Sequence, residues 1–206
     1  MNALSSWCNR QGRWLLAISG ALLVLFLAAP LLGLVLATSF DDLRAGLHQP
    51  LVWPALRLSL TTTTVSLLVV VAFGIPLSWT LSRTTGRFAR AIEVLVQVPA
   101  VIPPAVAGVA LLLAFGRRGY FARWLYPEGW SPAFTTVAVI MAEVFVSAPF
   151  FVQAATSAFR RVDENYLVVA RTLGAAPLRV FYRIGLPLAL PGLLAGAAMS
   201  WGALAR

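Results

Sequence analysis

The chain has 206 residues, 60% hydrophobic and 11% charged, with a net charge of +9 carried by arginine and no lysine. Soluble domains are about 25% charged, so an ordinary water-soluble fold is excluded. The arginines sit at the ends of apolar runs rather than in one patch, which excludes a nucleic-acid partner. With one cysteine (Cys8) and one histidine (His48) there is no internal disulfide and no Cys/His metal spacing, so neither a metal nor a cofactor is expected.

Five runs reach the roughly 18 apolar residues that a membrane-crossing helix needs. The first, 14–38, follows Arg10 and Arg13 and is uncharged. It is too long for the roughly 7–15-residue core of a cleaved signal peptide, so it is expected to stay as a span. The second, 55–82, opens with Ser59, Thr61, Thr62, Thr63, Thr64 and Ser66 and later carries Gly74 and Pro76. Hydroxyls of this kind allow close helix packing and bond back to their own helix. They also suit the wall of a polar route for an anion.

The third span, 92–115, holds Pro99, Pro103 and Pro104. Each proline removes an intrahelical bond and favours a kink. Either neighbouring helices absorb the freed carbonyls, or a broken span lines a pathway or serves as a hinge. Tyr120, Trp124, Tyr126 and Trp130 follow and fit an interfacial aromatic belt. The fourth span, 133–159, contains Pro149 and one acidic residue, Glu143. An ionisable group at this depth is a functional candidate. It is either the proton site of a secondary carrier or a hydrogen-bonded residue that glutamine would replace. Pro103, Pro104 and Glu143 are the pathway candidates. The fifth span is 187–205.

These runs predict an all-α integral membrane protein of about five transmembrane helices, a single domain over 1–206, in contact with membrane lipid. Short-loop arginines mark the inner side. With the N-terminus cytoplasmic, Arg10, Arg13, Arg83, Arg87, Arg90, Arg160, Arg161, Arg171, Arg179 and Arg183 fall inside. Arg44, Arg57, Arg117, Arg118, Arg123 and Arg206 fall outside. Enzyme readings find little support. His48 is in a loop, as are Asp41, Asp42 and Asp163, so no intramembrane Ser/His or Asp/Asp pair exists, and a chain without lysine has no P-loop.

The inner segment 160–186 is the most pointed signal. Asp163, Glu164 and Asn165 can cap a helix start. Leu167, Ala170 and Leu173 then recur every three residues as one apolar stripe, and Gly174 breaks the helix. Pro177 suits the first turn of a second short helix carrying Arg179 and Arg183, which Pro187 closes. The product is a helix–break–helix element, either a docking device for a partner or an amphipathic helix lying on lipid.

Here the chain resembles the permease subunits of ABC importers. Their inner loop carries Glu-Ala-Ala, three residues, Gly, nine residues, then Ile-x-Leu-Pro. Gly174, Ile184, Leu186 and Pro187 keep that spacing, and Ala170 is the one match to Glu-Ala-Ala, since Val168 stands where the family has Glu. The stretch 98–119 and the sequences around Ala170–Pro177 and Leu186–Gly196 are similar to the molybdate and sulfate permeases.

The resemblance implies an oxyanion, molybdate in the first instance, moved by two permease copies. It also implies cytoplasmic ATPase subunits, a periplasmic oxyanion-binding protein and a bacterial inner membrane. It puts ATPase docking on Ala170, Arg171, Leu173, Gly174, Ala175, Pro177, Arg179, Ile184, Leu186 and Pro187. ATP hydrolysis is expected on the separate subunit. Such permeases usually have a sixth span, and the resemblance implies a chain lacking it, as a fragment or a five-span variant. The alternatives are a non-transporting scaffold that keeps its ATPase contact and a secondary carrier using Glu143.

Overall fold

The computed structural model describes residues 3–125 and 131–204, the side chains at 3–13, 40–43 and 123 excepted. Tyr126, Trp130 and Arg206 lie outside the described residues, as do the side chains of Cys8, Arg10, Arg13, Asp41, Asp42 and Arg123. Two units are present, residues 1–56 and 57–206.

The first unit contains α1 (Ala3–Ala37) and α2 (Phe40–Leu47). Within α1 the 24 residues Trp14–Ala37 are long and apolar enough to span a bilayer. Pro30 is accommodated inside the helix.

Helix α3 (Val52–Arg83) leads into the second unit, followed by α4 (Arg87–Val101), α5 (Pro104–Phe115) and the single turn α6 (Ala122–Leu125). Then come α7 (Thr136–Arg160), α8 (Glu164–Thr172), α9 (Pro177–Val180), a π-helical turn at Phe181–Gly185 and α10 (Leu186–Leu204). Among the described residues, Trp14–Ala37, Val52–Arg83, Thr136–Arg160 and Pro177–Leu204 make four helices fit to cross a membrane. The pair α4 and α5 makes a fifth if counted as one broken span.

That pair is where the third expected span, 92–115, departs from a rod. Its second half is bent away from its first by 116°. The cause is two successive prolines. A residue before proline is pushed out of the α region, and here two neighbours are. Ile102 precedes Pro103 with ψ 131°, and Pro103 precedes Pro104 with ψ 139°. Pro104 then starts α5 at a position where its missing N–H costs nothing. Single prolines do not have this effect: Pro76, Pro99, Pro149 and Pro191 all lie inside continuous helices.

A second departure concerns Pro187, which does not close a helix. The chain runs helically from Pro177 to Leu204 through the π turn. In that turn the Leu186 amide donates to the Phe181 carbonyl, five residues back. A proline immediately after such a turn costs little, because the i→i−4 ladder is already interrupted there.

The core of the second unit gathers on α7. Lipid gives helices no hydrophobic reason to associate, so close contact depends on small residues and interhelical hydrogen bonds. Along α10, Gly192, Gly196 and Ser200 recur every fourth residue and face α7. An added Cβ on Gly192 would meet the Ala158 Cβ, and one on Gly196 would lie 3.0 Å from the Ala154 Cβ. The Ser200 hydroxyl donates to the Ser147 carbonyl at 3.0 Å.

Along α3, Thr62, Ser66, Val70, Gly74 and Ser78 form a buried stripe with the same spacing. An added Cβ on Gly74 would lie 2.6 Å from the Phe151 ring, and the Ser78 hydroxyl donates to the Val152 carbonyl at 3.3 Å. Phe151, Ala155 and Phe159 of α7 are fully buried, packed with Val70, Leu167, Val180, Ala189 and Leu193.

Replacing Gly196 with leucine should overpack the α7–α10 seam and lower stability by ~1–3 kcal/mol. The same change at Gly202, where nothing lies within 4 Å of an added Cβ, should stay within ~0.5 kcal/mol. Thermal unfolding of the two variants in detergent checks this ordering.

Candidate functional site

The segment after α7 is an elbow with both ends anchored. Asp163 caps α8, its carboxylate accepting from the Asn165 amide at 2.9 Å. At the far end of α8 the Gly174 amide donates to the Arg171 carbonyl and the Ala175 amide to the Ala170 carbonyl, each at 3.0 Å. This paired ending requires a left-handed residue, and Gly174 supplies it with φ +82°. Nothing crowds the place where its Cβ would be, so the demand for glycine is conformational. Pro177 then opens α9.

The three-residue stripe divides in the folded chain. Leu167 is buried and Ala170 is half-buried, both against the core, while Leu173 is 82% exposed. The reason is the helix end, since Leu173 occupies the C-cap, where the chain turns away. Leu178 on α9 is also exposed, as are Val168, Val169, Arg171, Gly174, Pro177 and Arg179. Of the remaining docking candidates, Ala175, Ile184 and Leu186 are half-buried against the core, and Pro187 is exposed. The structure thus brings Leu173, Gly174, Pro177, Leu178 and the two arginines to one projecting apex and uses Ile184 and Leu186 as its mount.

The mount is aromatic. Trp79 of α3 meets Phe159 of α7 edge-on at 5.3 Å and Phe181 of the π turn at 5.1 Å. Gly185 sits so close that a Cβ there would lie 2.6 Å from the Trp79 ring. The Arg83 guanidinium lies over the same ring at 4.9 Å and donates to the Phe159 carbonyl at 3.0 Å. A cation on the last carbonyls of a helix satisfies groups that lack partners and complements the dipole. Arg160, at the end of α7, pairs with Glu93 of α4. The ends of α3 and α7 and the middle of α4 are therefore tied together where the elbow begins. The sequence showed Arg83 and Arg160 only as inner charges.

Glu143 has partners that the sequence reading did not assign. Its carboxylate accepts from Thr62 at 3.0 Å and from Ser66 at 2.6 Å, both on α3. The hydroxyl run and the lone carboxylate, treated separately in sequence, are one cluster. Thr62 and Ser66, four apart on one face of a neighbouring span, were the available signal. Thr61 and Thr64 of the same run instead bond back to their own helix. Pro103 and Pro104 are exposed at the bend, whereas the partners of Glu143 are on α3.

Geometry of this kind defines a multi-pass helical membrane protein with an exposed elbow whose two ends pack into the core. Known proteins agree. The family described as binding-protein-dependent transport system inner membrane component matches residues 71–206. The molybdenum transport system permease protein ModB of Mycobacterium tuberculosis is 40% identical over 191 residues, 92% of this chain and 71% of the relative. The molybdate/tungstate transport system permease protein WtpB of Pyrococcus abyssi is 37% identical over 190 residues, 91% and 71% of the two chains.

Among solved structures, a chain of a bacterial alginate ABC transporter, crystallised with an alginate-bound periplasmic protein, has a TM-score of 0.73 at 19% identity. The match covers 96% of this chain and 75% of that one. A chain of the MetNI methionine ABC transporter, in an inward-facing form, has a TM-score of 0.57 at 23% identity, covering 76% and 72%. Both share the fold. The chain belongs to the family of binding-protein-dependent transport system inner membrane components: it is a transport subunit.

Glutamine at position 143 keeps an acceptor and a donor for the two α3 hydroxyls, so Glu143→Gln should cost under about 1 kcal/mol. Glu143→Leu strands both and should cost ~1–3 kcal/mol. Thermal unfolding of the two variants tests this. Transport abolished by Glu143→Gln would instead make the carboxylate a working proton site.

Proposed function

We propose that this chain is the permease of an ATP-driven importer for an oxyanion, with molybdate as the first candidate and tungstate, sulfate or thiosulfate next. The substrate class is supported by two relatives from distant organisms, each aligned with nine-tenths of the chain and named for molybdenum or molybdate and tungstate transport. The coupling mechanism has one observation behind it: the exposed Leu173–Leu178 apex stands on a segment whose two ends are held in the core.

In this reading a cytoplasmic ATPase grips the apex. Leu173 and Leu178 fill an apolar cleft, while Arg171 and Arg179 meet acidic groups at its rim. Val168 contributes apolar contact where the family's glutamate would contribute charge. ATP binding draws two such ATPases together and moves the elbow. Because the elbow is seated on Trp79, Phe159 and Phe181, its movement becomes movement of α3 and α7. A ligand drives such a change only by binding the two states unequally, and nucleotide on the ATPase provides that inequality.

A periplasmic binding protein delivers the oxyanion from the opposite side. Two copies of this chain surround the route. The membrane is a bacterial inner membrane, with the N-terminus and the elbow on the cytoplasmic side, following the arginine distribution.

Co-purification from the native membrane should bring down an ATPase subunit. Gly174→Val forces a β-branched residue into the left-handed turn. It should lower oxyanion uptake per ATP hydrolysed by about ten-fold or more while the protein still inserts into the membrane. Uptake and phosphate release measured in the same proteoliposomes give the ratio. Unchanged coupling would count against docking at the elbow.

A further inference from the structure

Between α4 and α7 lies a groove of about 160 Å³ that neither the elbow nor the Glu143 cluster uses. Its polar walls come from two helical stripes. On α7, Gln153, Thr156, Ser157 and Arg160 follow the i, i+3, i+4, i+7 pattern of one face, and on α4, Glu93 and Gln97 are one turn apart. Gln97, Gln153 and Ser157 are exposed on the surface of the subunit. Thr156 is 5% exposed, and its buried hydroxyl has no hydrogen-bond partner. Ser157 bonds back to the Gln153 carbonyl at 2.9 Å, and a rotation about χ1 re-aims it into the groove.

Two primary amides and two hydroxyls on one face of membrane-spanning helices do not belong against lipid, where an unsatisfied polar group is costly. Polar residues within spans face a bundle interior or a water-filled cavity. The volume holds about five waters at ~30 Å³ each, or a tetrahedral anion of five heavy atoms with little water.

The donor set decides between these occupants. Amide N–H and hydroxyl groups are neutral donors that suit the oxygens of a tetrahedral anion. The one cation, Arg160, stands at the mouth of the groove and is paired with Glu93. A free arginine would hold a dianion with charge-assisted bonds about twice as strong as neutral ones. Conduction needs binding strong enough for entry and weak enough for release.

We propose that this groove is a transient oxyanion subsite on the permeation route. Gln97, Gln153, Thr156 and Ser157 coordinate the anion, and Glu93 keeps Arg160 from trapping it. The inference rests on the oxyanion-importer reading and assigns lining residues to it.

The test uses the assembled transporter in proteoliposomes, with Cys8→Ser as background and Ser157→Cys as the reporter. The new thiol should react with a charged, membrane-impermeant methanethiosulfonate. Molybdate or tungstate should slow that reaction, and chloride at equal ionic strength should not. Thr156→Val should raise the molybdate concentration for half-protection about five-fold, with Thr156→Ser restoring it. Glu93→Gln, which frees Arg160, should lower that concentration by a similar factor. A thiol that does not react means the groove is sealed from water. One that reacts equally with and without molybdate means the groove holds water only. Either result overturns the subsite. A wild-type complex that takes up none of molybdate, tungstate, sulfate or thiosulfate overturns the oxyanion reading itself. A Cys8→Ser, Ser157→Cys complex that takes up molybdate while its thiol stays unprotected overturns the groove alone.

Discussion

Helix α7 can be held in place only by contacts that work without water. Within lipid the apolar side chains of neighbouring helices gain little by meeting each other, so what selects one packing is how closely backbones approach and which polar groups find partners. Both devices act on α7. Gly192, Gly196 and Ser200 bring α10 against its alanines, and Gly74 lets α3 close on Phe151. The hydroxyls of Thr62, Ser66 and Ser78 bond across from α3. Each interhelical bond contributes ~0.6 kcal/mol. Their effect lies in specificity, because a helix rotated by one position would lose all of these bonds together. Glu143 belongs to this system, and its two α3 partners explain how a carboxylate is tolerated at that depth without a relay of other ionisable groups.

The elbow depends on the same post. Its first residues leave the end of α7, whose last carbonyls are covered by Arg83. Its last residues return through Phe181 and Gly185 to the ring of Trp79. Between these anchors the apex carries large apolar side chains outward. This loop exposes leucines while its flanks are packed into the core. Under the proposed coupling, a push at Leu173 or Leu178 would reach α3 and α7 through packed rings rather than through flexible chain.

Much of this was legible in the sequence because the relevant physics is local. Span-length apolar runs, the proline that opens α9 and the glycine at position 174 need no knowledge of distant residues. The departures arise where a second element decides the outcome. Leu173 shares the spacing of Leu167 and Ala170, yet the turn at Gly174 throws it outward. Pro103 and Pro104 were visible as a weak point, but the size of the bend follows from two adjacent residues both being forced into extended backbone. Glu143 and the hydroxyl run are each visible in the sequence, and their union depends on how α3 and α7 are rotated, which hydropathy does not encode. Gln97, Gln153 and Thr156 carry no signal in the sequence, because single polar residues in separate spans acquire meaning only when packing aligns them.

The π turn at Phe181–Gly185 has a geometric corollary. Such a turn holds one residue more than a regular helix would. Removing that surplus would rotate everything before it by about 100° and shift it by about 1.5 Å along the axis. The extra residue therefore sets the compass bearing at which the elbow leaves the bundle, and it is the thread pitch of that joint.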